Sequence, residues 1–331
     1  MKAMVIRRFG APEVFELAET EKPVSQPGDV LIKVASSSVN PIDTKIRSGA
    51  VAAVSPDFPA VLHGDVAGVV EEIGDGVTSL KPGDEVYACA GGIKGLGGAL
   101  AEYMVADADL VAPKPKNLSM TEAGALPLVT ITAWNAIVDR ANVRPGQKVL
   151  VHGGTGGVGH IGVQLAKQAG AEVYAAVSTD RKAAAARKLG ADHVILYTDT
   201  SVADYVAEYT GGKGFDVVFD TVGTDTMDRS FEAAADNGVV VTIAARSTHD
   251  LSPLHGKGLT LNVVFMLLPL LRGSGRSAHG EILRQAGTLI EDGKLRPLVD
   301  EETFTFEDVG KAHARLESGK ATGKIALVNK W

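Results

Sequence analysis

The stretch VLVHGGTGGVGHIGVQLAK, Val149 to Lys167, limits the possible folds more than any other part of the chain. Its apolar, β-branched start predicts a strand, and its end predicts an amphipathic helix. Between them stands Gly154-x-Gly156-x-x-Gly159. In that setting each glycine has a separate task. Gly154 permits the tight turn, Gly156 lets the backbone approach a pyrophosphate, and Gly159 lets helix and strand pack closely. A helix N-terminus adds unpaired N–H groups and the positive end of a dipole. Gly154, Thr155, Gly156, Gly157, Val158 and Gly159 are therefore expected to cradle the phosphates of a dinucleotide.

The end of the next strand selects the nucleotide. A site for NADH wants Asp or Glu there, to bind the ribose 2′-hydroxyl. The strand EVYAAV ends at Val177, and Ser178 and Thr179 follow. Asp180 comes two residues after Ser178, at the expected helix N-cap, and Arg181 and Lys182 come next. A hydroxyl and two cations suit a 2′-phosphate. Ser178, Arg181 and Lys182 are expected to hold it, and the cofactor is expected to be NADPH.

Around this motif the chain reads as α/β with two domains, since 331 residues exceed one ordinary domain. The first third holds short alternating runs such as VLIKVASSSV and DEVYACA, set off by Pro-Gly turns. They predict a small antiparallel or barrel-like β domain. From Thr121, the expected N-cap of a helix over TEAGALPLVTITAWNAIVD, the texture changes. Strands rich in Val, Ile and Ala then alternate with helices, which predicts a parallel sheet covered on both faces. The expected division is 1–121 with 269–331, and 122–268. The run LTLNVVFMLLPLL from Leu259 is broken by Asn262 and Pro269 and is too short to span a bilayer. It reads as a buried or intersubunit strand followed by a loop.

Composition excludes several classes. A net charge of -7 argues against a nucleic-acid surface. Cys89 is the only cysteine, which excludes a disulfide framework and a multi-cysteine zinc site and fits a reducing cytoplasm. MKAMVIRRFG lacks the apolar region of a signal peptide.

Many segments, in order, carry a family resemblance: SSSVNPIDTKIRSG, FPAVLHGDVAGVVEEIGDGV, LKPGDEVYA, GGALAEYMV, ALPLVTITAW, the glycine-loop stretch, RKLGADHVI, GFDVVFDTVG and AHARLESGKATGKIAL. The chain resembles, over essentially its full length, the zinc-independent medium-chain dehydrogenases/reductases of the NADPH:quinone oxidoreductase (zeta-crystallin-like) group. The resemblance implies a GroES-like β-barrel domain joined to a doubly wound Rossmann domain, with the C-terminal tail returning to the first and the active site in the cleft between them. In zinc-dependent relatives three positions hold the metal. By resemblance these are Asn40, Gly64 and Leu128 here, and none is a Cys, His or carboxylate donor. His63 stands one residue before the second position. On a strand it would face the other way, so it is expected as a packed or hydrogen-bonded residue at the domain interface. Asp65 is expected as a structural acceptor.

Without a Lewis acid, hydride transfer to a quinone, or to the β-carbon of an α,β-unsaturated carbonyl, needs orientation and modest charge stabilisation. The resemblance places Asn40 and Thr132 near the nicotinamide. It places Lys45 where an ammonium stabilises an enolate oxygen or relays a proton. Tyr197, Phe265 and Lys324 are the remaining expected cofactor contacts. Asp220 is expected to brace a loop, and His152, His160 and Cys89 to be structural. The leading expectation is an NADPH-dependent quinone reductase. An enone or enal reductase is the alternative, a non-catalytic NADPH sensor or crystallin-like binder is a third, and an alcohol dehydrogenase is remote. The apolar strand near Leu261 to Leu268 is expected to pair across a two-fold axis in a homodimer.

Overall fold

A computed structural model describes residues 1–331 and divides the chain into two units. The first comprises Met1–Leu128, Leu267–Gly293 and Val299–Trp331; the second comprises Val129–Met266 and Lys294–Leu298.

The first unit opens with β1 (Lys2–Ile6), β2 (Glu16–Glu19), β3 (Asp29–Val39), helix α1 (Pro41–Ser48), β4 (Ala60–Val61), β5 (Asp65–Ile73), β6 (Glu85–Cys89), β7 (Tyr103–Asp107), β8 (Val111–Pro113) and helix α2 (Met120–Gly124). Strand β3 is its hub. Residues Val30–Ser36 pair with β5, and Asp29–Lys33 with β7, both antiparallel. Register shifts in the β3–β5 ladder mark bulges, which increase local twist. Three consecutive serines, Ser36, Ser37 and Ser38, are buried at the end of β3. Their size lets α2 come close: a Cβ on Gly124 would lie 2.3 Å from Ser36 Oγ.

Helix α3 (Pro127–Trp134) runs into a π-helical segment, Asn135–Arg140. The second unit then alternates β9 (Lys148–His152), α4 (Gly159–Gln168), β10 (Glu172–Val177), α5 (Asp180–Lys188), β11 (His193–Leu196), α6 (Val202–Thr210), β12 (Phe215–Asp220), α7 (Asp225–Ala233), β13 (Ala234–Thr242), α8 (Ser252–Lys257) and β14 (Thr260–Val263). The six strands are all parallel, in the order β11-β10-β9-β12-β13-β14. The order reverses between β9 and β12, so the ligand crevice of such a sheet opens at their carboxyl ends. Tyr174, Tyr205, Phe215 and Phe231 fill one buried cluster with Leu150, Val218 and Val240.

The tail adds α9 (Leu268–Arg272), α10 (Ser277–Glu291), β15 (Phe304–Thr305), α11 (Val309–Glu317) and β16 (Ile325–Val328). Strand β16 returns to β3, pairing Ile325 with Val39 and Val328 with Ser36. No helix is long and apolar enough to cross a membrane.

Several boundaries differ from the sequence expectation. The N-cap of α2 is Ser119 rather than Thr121: Ser119 Oγ accepts from the Glu122 N–H, and Glu122 accepts from the Ser119 N–H at 2.9 Å. Because α2 packs on β3, the first unit extends to Leu128. Residues 294–298 belong with the second unit, where the Gln164 amide bonds both Arg296 N and Arg296 O. LPLLR, Leu268–Arg272, forms helix α9 rather than a loop, since proline is tolerated in a first helical turn. Strand β14 is an edge strand with exposed ends rather than a buried one. His63 is not on a strand but adopts a left-handed conformation, φ 72°, ahead of β5. Thr179, not Asp180, caps α5, its hydroxyl accepting from the Lys182 N–H.

Burial keeps four imidazoles uncharged. It lowers His152 and His279 to about 4 and His313 to about 3, and holds His63 well below its ordinary 6.5. The unfolded chain protonates these rings near 6.5, so folding excludes protons across the window below it. Asp43 acts in the opposite sense, since burial pushes it up to about 7, but it is one group against four. Stability is expected to fall steadily as pH drops from about 6.5 to 4, read as Tm by circular dichroism; a flat or rising Tm would contradict this.

Candidate active site

The glycine loop expected to cradle phosphates begins where β9 ends. Gly153, at φ 68°, and Gly154 both donate to Ala176 O on β10, and Thr221 Oγ1 donates to His152 O at 2.7 Å. These bonds pin the loop to both neighbouring strands. A Cβ on Gly159 would lie 2.1 Å from Gly153 O, and one on Gly154 would lie 2.8 Å from the Ala175 Cβ. Both positions exclude any side chain. Gly156 meets only Gly153 O, at 3.2 Å, so the rest of its surroundings are open. Helix α4 starts at Gly159 with no side-chain cap. Its amino end is left to an anion, and the residues fit a pyrophosphate. Asp220 braces the adjoining turn, accepting from Val222 N and Gly223 N at 2.9 Å and from Thr242 Oγ1 at 3.0 Å.

The residues expected at the adenosine side lie at the tips of β10 and β11. Val177 pairs with Leu196, which sets Ser178 and Tyr197 side by side at the strand ends. Tyr197 is 41% exposed. Ser178 is half-buried, and α5 carries exposed Arg181 and half-buried Lys182 in its first turn. No carboxylate stands at the strand tip itself, so the fit is to a phosphorylated ribose. Thr132 is buried on α3 in the same unit. Phe265, 41% exposed, follows edge strand β14, two strands from β12.

The first unit holds a second concentration of chemistry, entirely buried. Asp65, at the start of β5, accepts from Ser38 Oγ at 2.8 Å, Asn40 Nδ2 at 2.7 Å and Leu128 N at 2.7 Å. Lys324 Nζ lies 3.5 Å from Asp65 Oδ2 and donates to Val39 O at 3.0 Å and to Asn40 Oδ1. Lys324, an expected cofactor contact, has these partners inside the unit. The Asn40 side-chain amide is thus held at both ends. The Asn40 backbone N–H donates to Asp43 at 2.7 Å, which closes the first turn of α1. Burial raises Asp43 and the Asp65 charge raises it further, against the Asn40 N–H bond. Burial lowers Lys324, opposed by Asp65 and Asp43. Lys45 lies exposed one turn along the same helix. His63 Nε2 is 2.9 Å from His313 Nε2, and its Nδ1 is 3.3 Å from Ser37 Oγ.

Two family models match, "Alcohol dehydrogenase GroES-like domain" over residues 26–116 and "Zinc-binding dehydrogenase" over 189–327. The chain is 36% identical to a 2-methylene-furan-3-one reductase of Solanum lycopersicum and 35% identical to an NADPH-dependent alkenal/one oxidoreductase of Arabidopsis thaliana, covering 99% of this chain and 79% of each relative. An alcohol dehydrogenase superfamily protein from Novosphingobium aromaticivorans superposes with a TM-score of 0.94 at 40% identity, covering 99% of both chains. An Escherichia coli quinone oxidoreductase in complex with NADPH gives 0.88 at 29%, covering 99% of this chain and all of that one. The chain belongs to the medium-chain dehydrogenases/reductases, in the quinone oxidoreductase group.

Within that family zinc is a natural question, and the residues here do not fit it. Asn40 and Leu128 offer no thiolate, imidazole or carboxylate. At Gly64 no side chain has room at all: a Cβ would lie 2.8 Å from Gly91 O and 3.2 Å from Cys89 Sγ. The polar ground beside Asn40 is taken by the Lys324 ammonium. No group of three or more His, Cys, Asp or Glu is placed to hold a metal. His63 points its ring into bonds with His313 and Ser37, so its burial follows from these partners rather than from strand alternation.

The glycine-loop residues stand together, as do Ser178, Arg181, Lys182 and Tyr197. Asn40, Lys45 and Lys324 gather in the first unit. Sequence reasoning missed Asp43, whose spacing from Asn40 is that of a capping box, and His313, which has no local signal. Lys182→Ala is expected to weaken NADPH binding about tenfold, the worth of one charge-assisted hydrogen bond, and to shift preference toward NADH. Fluorescence titration of both nucleotides checks this; unchanged NADPH affinity with no shift refutes the assignment.

Proposed function

We propose that this protein is a zinc-independent NADPH-dependent reductase that delivers hydride to quinones, with α,β-unsaturated ketones and aldehydes as the second acceptor class. The observation that carries the reading is the glycine cradle at β9, coupled to a β10 tip that offers Ser178, Arg181 and Lys182 in place of a carboxylate. When bound, NADPH supplies the hydride. The chain's own residues orient, shield and stabilise charge. The cradle and the first turn of α5 take the phosphates. Asn40, clamped by Lys324 and Asp65, fixes the start of α1. Lys45, exposed on that helix, meets the charge that develops on an acceptor oxygen as hydride arrives at the vinylogous carbon.

The two acceptor classes share this demand, since reduction of either places negative charge on a carbonyl oxygen. The named activities of the tomato and Arabidopsis relatives support the enone arm, and the Escherichia coli quinone oxidoreductase supports the quinone arm. NADPH oxidation should proceed with 9,10-phenanthrenequinone. Turnover of alkenals and alkenones but not of the quinone would reverse the order, and no oxidation with either class would leave only the non-catalytic binder.

We place the protein in the cytoplasm on the strength of its single, buried cysteine. We propose also that it is a homodimer through β14. That strand pairs only with β13, and Val263 and Phe265 are 49% and 41% exposed on and just beyond it. An apolar open edge is stable in solution when another strand covers it. Light scattering should give about twice the 34.4 kDa chain mass, and Val263→Lys should halve it; a wild-type monomer refutes the dimer.

A further inference from the structure

The loop that follows β13 holds a side-chain series outside the residues assigned above to the reductase. Ser247 Oγ is 2.5 Å from His249 Nε2, and His249 Nδ1 is 2.8 Å from Asp228 Oδ1 on α7. Only one proton arrangement satisfies both bonds of a neutral ring. Nδ1–H donates to the carboxylate, and Nε2 accepts from the serine hydroxyl. This is the polarity a general base needs to activate a serine.

The fold constructs this arrangement from several separate constraints. A Cβ on Gly223 would lie 2.5 Å from Ala244 O, so the turn before α7 and the loop after β13 meet only because Gly223 has no side chain. Thr224, between Gly223 and α7, adopts φ 51° and ψ -133°, a region that costs free energy for a residue with a side chain. Asp228 then stands in the first turn of α7, where the helix dipole favours its negative charge. The His249 side chain is only 4% exposed and meets the Phe231 ring edge-on at 6.3 Å, which holds it in place. Ser247 by contrast is exposed.

We propose that Ser247 is an activated nucleophile that hydrolyses small carboxylic esters, with His249 as general base and Asp228 as the positioning residue. Ser247 Oγ forms a bond to the acyl carbon, and its proton passes to His249 Nε2. The C–O bond to the alcohol breaks, and His249 returns the proton to the departing oxygen. Water then attacks the acyl-serine as His249 takes its proton. The carboxylic acid leaves, and the proton goes back to Ser247. Ester and water are consumed; acid and alcohol are formed. The nucleophile stands on an open loop, so the substrate class is a short acyl group on a good leaving group.

Full-length protein would be treated with a fluorophosphonate probe and, separately, with p-nitrophenyl acetate. Mass spectrometry should find the probe on Ser247 of the unmodified protein. Ester hydrolysis should fall at least tenfold in Ser247→Ala and in His249→Ala. Asp228→Asn should lower the rate at saturating ester with little change in KM, and Asp228→Glu should recover part of it. NADPH titration of Ser247→Ala should match wild type, which separates loss of the nucleophile from loss of the fold. A probe that does not attach to Ser247, or a wild-type rate no greater than that of Ser247→Ala, overturns the proposal.

Discussion

Asp65 has no exposed surface, yet its carboxylate sits among groups drawn from across the first unit: Ser38 and Asn40 around the end of β3, Leu128 in the first turn of α3, and Lys324 beside β16. A carboxylate taken out of water is tolerable only when hydrogen bonds and an opposite charge replace its hydration. Asp65 has three donors and an ammonium. Removing one member of such a pair costs about 3–5 kcal/mol, because the other is left uncompensated. The same bonds clamp Asn40 and so set the start of α1, on which Lys45 is carried. A charge that serves the fold thereby also positions the residues proposed to meet a substrate.

The second unit rests on a steric rule instead. Its cradle exists because Gly154 and Gly159 have no Cβ, which lets β9, β10 and α4 approach within distances that any other residue would block. The bonds to Ala176 O fix the loop before a ligand arrives. Such preorganisation reduces the ordering cost of binding.

Much of this was legible in the chain. Glycine spacing after an apolar run identified the cradle because each glycine answers a local need. The β10 tip could be read as a nucleotide-selecting site because Ser178 to Lys182 are contiguous. Alternation of Val-rich strands with helices predicted the parallel sheet. Boundaries were less legible. Thr121 and Asp180 were as good N-caps by composition as Ser119 and Thr179, and only the hydrogen bonds chose between them. The run ending in LLPLL has the composition of a strand followed by a break, yet its proline sits where a helix tolerates it.

Lys324 shows the limit most clearly. Its neighbours in the chain say nothing of Asp65, which lies more than two hundred residues away, or of Asn40. Pairing of β16 with β3 brings them together. His63 and His313 meet by the same kind of long-range packing, which no local periodicity encodes. The sequence alone therefore determined what depends on adjacency: the phosphate loop, the nucleotide preference, the order of strands and helices, and the lack of zinc donors. Tertiary structure decided which buried charges compensate one another, because electrostatic partners are chosen by distance in space and by the water that burial removes.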